Sequence, residues 1–132
     1  MKVIEFKMLI GNLFNISQIT YVIEGEFNIS FNCNSEHKIF DGHFPGEPIL
    51  PGVCMVQFVR ECLEKVLNKK LQLNSSKTVK FINIINPINE KLLVLEIKTT
   101  YTEDGLVEAR AVIKNNESKV FFQMRGVWDL LL

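Results

Sequence analysis

Apolar and polar positions divide this chain into a β-patterned beginning, one helical stretch and a β-patterned second half. Ile19 to Glu24 and Glu26 to Cys33 are rich in Ile, Val, Phe and Tyr, with Gly25 between them. That pattern predicts two strands joined by a tight turn. Asn34 to Pro51 shows no period; it holds Pro45, Pro48 and Pro51 with Gly42 and Gly46, Gly52 follows, and the stretch reads as loop. Val53 to Lys69 then runs without Gly or Pro, and apolar residues at 55, 59, 62, 63, 66 and 67 recur at helical spacing. The first two turns are apolar nearly all round, which predicts a helix start buried in the protein. Alternation of period two returns in Thr78 to Ile85, Lys91 to Tyr101, Leu106 to Lys114 and Lys119 to Arg125, where Phe121 breaks the alternation. Glu103-Asp104-Gly105 and Asn115-Asn116 supply hairpin turns. The sum is an α+β chain of about six strands, mostly antiparallel, with one long helix inserted after the first pair. A curved sheet folding around that helix is the economical way to cover it.

Composition narrows the class. With 132 residues, 47% hydrophobic and 23% charged, the chain fits one ordinary globular domain spanning residues 1–132. Fifteen basic residues balance fifteen acidic ones, so nothing points to a nucleic-acid partner. No run approaches the roughly 18 apolar residues of a membrane span, and Glu5 and Lys7 interrupt any signal-peptide core. Cys33, Cys54 and Cys62 are odd in number and form no Cys-x-x-Cys pair, which fits reduced thiols in the cytoplasm. Two histidines without ligand spacing argue against a structural metal site.

The segment from Phe40 to Val53 carries the chemistry. It is a stiffened loop that delivers His43 to the start of a helix, with its prolines fixing φ. The N–H groups at that start, Gly52 and Val53 among them, lack intrahelical partners and can hold a polarised carbonyl. A histidine near such donors can remove a proton while they stabilise the oxyanion that develops. A rigid surface loop with an incidental histidine fits the same residues.

Gly42-His43-Phe44-Pro45-Gly46, Pro48-Ile49 and Pro51-Gly52-Val53 together resemble the signature of the 3-hydroxyacyl-acyl-carrier-protein dehydratases of bacterial fatty-acid synthesis. The resemblance extends upstream through Asn34-Ser35-Glu36 and Ile39-Phe40, and more weakly downstream from Lys80-Phe81 to Pro87. It implies the hotdog fold, a bent antiparallel sheet around one long helix. It also implies that His43 is the base, that the N–H groups at Gly52 and Val53 hold the thioester carbonyl, and that Phe44 and Pro51 border the substrate. The substrate would arrive on acyl carrier protein or coenzyme A, its phosphopantetheine arm included, with no metal or redox cofactor needed. The family's site is shared between subunits, so a homodimer, a higher assembly of dimers or a heterodimer is expected.

One position departs from the family. A helix carboxylate is expected fourteen residues after the histidine, and that position is Gln57. An amide can orient a hydroxyl but has no acidic proton to give it. Many members carry glutamine four residues further on, where this chain has Glu61, so the pair looks swapped in order on one helical face. Two readings of Glu61 follow: it supplies the acid, directly or through a water, or it belongs to a solvated polar stripe with Gln57, Glu64 and Asn68. Gln57, lying between Val53-Cys54-Met55-Val56 and Phe58-Val59, is expected to be buried and hydrogen-bonded. The function implied is dehydration of a 3-hydroxyacyl thioester to the trans-2-enoyl thioester. The alternatives are a weak or inactive subunit that binds acyl thioesters or completes a heterodimer, and a hotdog thioesterase. Among the remaining candidates, His37 reads as a surface residue, and Phe31, Phe40, Phe58 and Phe81 as core or tunnel lining. Trp128 to Leu132 reads as an apolar free end suited to docking.

Overall fold

Six strands, every pair antiparallel, form one sheet in the order β1-β2-β4-β5-β6-β3. They are β1 (Phe14–Ile23), β2 (Glu26–Cys33), β3 (Lys70–Phe81), β4 (Leu93–Tyr101), β5 (Val107–Asn115) and β6 (Val120–Leu131). A single turn, α1 (Ile39–Gly42), precedes the long helix α2 (Gly52–Leu67). These elements come from a computed structural model that describes residues 8–42 and 46–131. The β1–β2 hairpin turns at Gly25, whose φ of +80° suits glycine, and a Cβ there would lie 2.7 Å from the Thr99 carbonyl oxygen.

One face of the sheet packs on α2, which buries Cys54, Met55, Phe58, Val59, Glu61, Cys62 and Leu63. Phe58 stacks on Phe14 at 4.2 Å between ring centroids and meets Phe31 at 4.5 Å. Leu95, Ile97, Ala111, Ile113, Phe122 and Trp128 complete this core from the central strands. Alternate residues on the opposite face are polar and form ion pairs, Arg125 with Glu108 at 2.7 Å and Lys114 with Glu96 at 3.2 Å. This is the hotdog arrangement, with the single long helix at its centre. No helix among the described residues is long and apolar enough to cross a membrane.

The start of α2 is not buried all round: Val53 is 74% exposed, because the sheet covers only one side of the helix. Asn68 adopts the left-handed conformation at the end of α2, and the chain enters β3 at Lys70, well before the expected Thr78. The apolar tail is no free end either. Trp128 lies in β6 and is 1% exposed, while Leu132 lies outside the described residues. Phe121 breaks the alternation because a bulge places Ile113 opposite Phe122 and Lys114 opposite Val120, so both phenylalanines point into the core.

Cys33, Cys54 and Cys62 are buried and unpaired. Burial, with Cys54 nearby, pushes the Cys33 thiol up from its ordinary 9.0 to about 12. Burial also raises Cys54 and Cys62. Above pH 9 the unfolded chain therefore loses thiol protons that the native chain keeps, so stability falls as pH rises from there and is untouched by these groups below it. At pH 8 the native protein is expected to react with a thiol reagent at least tenfold more slowly than protein in denaturant. Equal rates in the two conditions would contradict this placement.

Candidate active site

Two features build the candidate site at the start of α2, the loop that reaches it and an apolar cleft, and a polar pair, Gln57 and Glu61, lies further along the helix. Pro51, extended at φ −63° and ψ 140°, precedes α2 and leaves its first turn without a side-chain cap. Ahead of it, the Leu50 N–H donates to the Ile85 carbonyl at 2.9 Å, which ties the loop to the segment after β3. Gly46 has a φ of +79°, a conformation that favours glycine. His43, Phe44 and Pro45 lie outside the described residues.

Ile49, Gly52, Val53, Met55, Phe81 and Ile84 border an open cleft of about 460 Å³ at the start of α2. The Phe81 ring lies against Gly52, where an added Cβ would come within 2.6 Å of it. Phe81 is 55% exposed, and Ile82 and Ile84 beside it are exposed as well. Sequence reading placed Phe81 only generally and missed Ile82 and Ile84 as walls. Phe31, Phe40 and Phe58 are core residues.

Gln57 and Glu61 meet. The Gln57 Nε2 donates to Glu61 Oε2 at 3.0 Å. Glu61 is 2% exposed and is no member of a solvated stripe. Its carboxylate also accepts the Leu9 N–H, at 2.8 Å to Oε1 and 3.0 Å to Oε2, and the Ile10 N–H at 2.9 Å to Oε1. Gln57 is half-buried rather than fully buried, and it lies one turn beyond Val53 on the same helical face. Glu64 turns to the start of β3, accepting the Leu71 N–H at 2.8 Å. His37 is half-buried and acts locally: its Nδ1 accepts the Ile39 N–H at 3.0 Å at the start of α1.

The structure thus brings Gly52 and Val53 to the cleft, with Pro51 just ahead of them at the helix cap, and joins Gln57 to Glu61. An uncapped helix start can hold a carbonyl oxygen, the cleft suits an acyl chain, and the amide can orient a hydroxyl. The grip on Glu61 by Leu9 and Ile10 was invisible to sequence reading, because backbone amides carry no side-chain signature.

Known proteins match most of this chain. The 3-hydroxyacyl-[acyl-carrier-protein] dehydratase FabZ of Clostridium acetobutylicum is 30% identical over 101 residues, 71% of this chain and 69% of the relative. The FabZ of Fusobacterium nucleatum is 26% identical over 107 residues, covering 77% and 72%. Among solved structures, the dehydratase heterocomplex ApeI:P from Xenorhabdus doucetiae superposes with a TM-score of 0.64 at 22% identity, over 86% of this chain and 96% of that one. An uncharacterized protein from Erwinia carotovora gives 0.66 at 19% identity, over 89% and 94%. The ApeI-like family model, described as ApeI dehydratase, matches residues 20–121, a span that takes in the loop, the cleft and the Gln57–Glu61 pair. By that match the chain belongs to the ApeI-like dehydratase family.

Proposed function

We propose that this protein removes water from a 3-hydroxyacyl thioester on acyl carrier protein, giving the trans-2-enoyl thioester in the building of fatty-acid or related acyl chains. The observation that carries the reading is the uncapped start of α2 at the end of the apolar cleft, in a chain of a dehydratase family. In this reading His43 takes the proton from Cα, and the N–H groups of Gly52 and Val53 hold the carbonyl oxygen as negative charge gathers on it. The enolate then collapses: the Cα–Cβ double bond forms and the Cβ–O bond breaks. Gln57 holds the departing hydroxyl but has no acidic proton for it. The imidazolium of His43 returns the proton it took, and water leaves. The elimination is redox-neutral and calls for no metal or redox cofactor. Phe44 and Pro51 border the acyl thioester as it enters.

A second copy of the chain is the proposed partner. Val53, Phe81, Ile82 and Ile84 form an exposed apolar patch at the helix start. Among the described residues the outer edge of β3 pairs with no strand, which supports association there. Three unpaired thiols fit a cytoplasmic setting. A heterodimer is the second reading, and one observation speaks for it: Gln57 stands where the family has its acid, and both oxygens of Glu61 are occupied. The same occupancy weighs against a thioesterase, which would need that carboxylate to activate water.

The test is turnover of a short 3-hydroxyacyl thioester, offered on acyl carrier protein and on coenzyme A. Formation of the 2-enoyl thioester, faster from the carrier-bound substrate, is the expected result. Release of free thiol instead would mean a thioesterase. Retained carrier binding without turnover would mean a subunit that needs a different partner chain.

A further inference from the structure

We infer that Glu61 is a positioning residue that fixes which end of the Gln57 amide meets the substrate; the inference rests on the dehydratase reading. Glu61 is 2% exposed, and the N–H groups of Leu9 and Ile10 and the Gln57 amide donate to it. A carboxylate so surrounded accepts on both oxygens, so the atom of Gln57 turned toward it is the donor Nε2. Gln57 therefore presents its Oε1, with its second N–H, away from Glu61. Donation to the carboxylate polarises the amide and strengthens Oε1 as an acceptor. Oε1 takes the hydrogen of the substrate's 3-hydroxyl, which leaves the lone pairs of that oxygen open to the proton returning from the base. The residue at 61 thus chooses between an acceptor and a donor at 57, and the Leu9 and Ile10 amides hold it in place.

Glu61→Gln separates this role from simple support of the fold. Gln at 61 can still accept from Leu9 and Ile10 through one oxygen, and its NH2 then faces Gln57. To keep a hydrogen bond the Gln57 amide must flip, offering Oε1 to residue 61 and NH2 to the substrate. Glu61→Gln is expected to keep its melting temperature within a few degrees, to lose about tenfold in kcat and to hold KM within twofold. The acid limb of its kcat–pH profile stays unchanged. The double variant Gln57→Glu/Glu61→Gln, in which the amide at 61 donates to a carboxylate at 57, is expected to regain kcat and gain a new ionisable limb. Gln57→Glu alone sets two carboxylates about 3 Å apart, where the amide nitrogen now lies 3.0 Å from Glu61 Oε2, and is expected to lose both stability and kcat.

Full kcat in Glu61→Gln would overturn the inference. So would a fall of a hundredfold or more together with loss of an acid limb present in the wild type, since that marks Glu61 as the acid itself. If the wild type turns over no 3-hydroxyacyl thioester, the dehydratase reading fails separately. The amide orientation then remains readable by NMR, as an exchange-protected Gln57 side-chain N–H in the wild type whose contacts invert in Glu61→Gln. An unprotected, freely exchanging amide in the wild type would overturn it.

Discussion

Glu61→Ala is expected to lower the midpoint of thermal unfolding by about 10–15 °C, measured by calorimetry or circular dichroism. The carboxylate is the acceptor for the N–H groups of Leu9 and Ile10 and for the Gln57 amide. A hydrogen bond to a charged group contributes about 1.5–3 kcal/mol. Leu9, Ile10 and Gln57 are each half-buried, so water replaces part of what is lost. A net cost of about 3 kcal/mol remains, with the small space left by the side chain adding to it. In a domain of 132 residues each kcal/mol moves the midpoint by about 3–5 °C. Glu64→Ala is the internal comparison, because it removes the acceptor of one N–H, that of Leu71. Its midpoint is expected to fall less than half as far. Equal shifts in the two variants would mean that the N-terminal segment gains little from its bonds to Glu61.

This expectation depends on a contact no pattern in the sequence could announce. Glu61 lies 52 and 51 positions from Leu9 and Ile10, and its partners there are backbone amides. Side-chain periodicity reports which face of an element is apolar, and Glu61 reads on that basis as part of a polar stripe. What places it inside is the chain before β1, which turns tightly over the helix, with the Leu9 carbonyl accepting the N–H groups of Leu13 and Phe14 at 2.9 Å. β2 and the β4–β5 hairpin were legible because each has one buried face, so alternation survives in the residues, whereas β1, expected from Ile19, begins at Phe14 and is largely exposed beyond it. β3 was legible only at its end. It is an edge strand, and apart from Leu71 and the half-buried Ser75 its residues are exposed, so Gln72 to Lys77 carry no alternation. The apolar start of α2 was legible as apolar, but its exposure was not. Apolar residues in sequence read as buried, whereas Val53, Phe81 and Ile84 are exposed.

The site divides in the same way. The loop motif and the absent acid at 57 stand in the sequence, since both depend on residue type at fixed spacing. The direction of the Gln57 amide depends on the oxygen of a neighbour that it meets, Glu61 Oε2, and residue type alone does not carry it.

His43→Ala is expected to lower kcat for dehydration by about 10³–10⁴-fold while moving the unfolding midpoint by no more than a few degrees. Loss of a positioned general base or acid alone costs about 10²–10⁴. In the proposed mechanism the same imidazole takes the Cα proton and gives it to the departing hydroxyl, because Gln57 has none to give, so one substitution removes both transfers. That places the loss at the upper end of the range. Gln57→Ala removes an orienting hydrogen bond and leaves proton transfer intact, so its loss is expected to be about tenfold to a hundredfold. The order of the two effects matters more than either value. If Gln57→Ala proves as damaging as His43→Ala, residue 57 lies on the path of the proton, and an amide can take that place only by holding a water that relays it. If His43→Ala keeps a tenth of the activity or more, the base is another group, and a histidine supplied by a partner chain would be the first to test. Exchange of the Cα proton with deuterium oxide separates these cases, since a lone base that keeps its proton through the elimination allows little exchange, whereas a relay through water allows it freely.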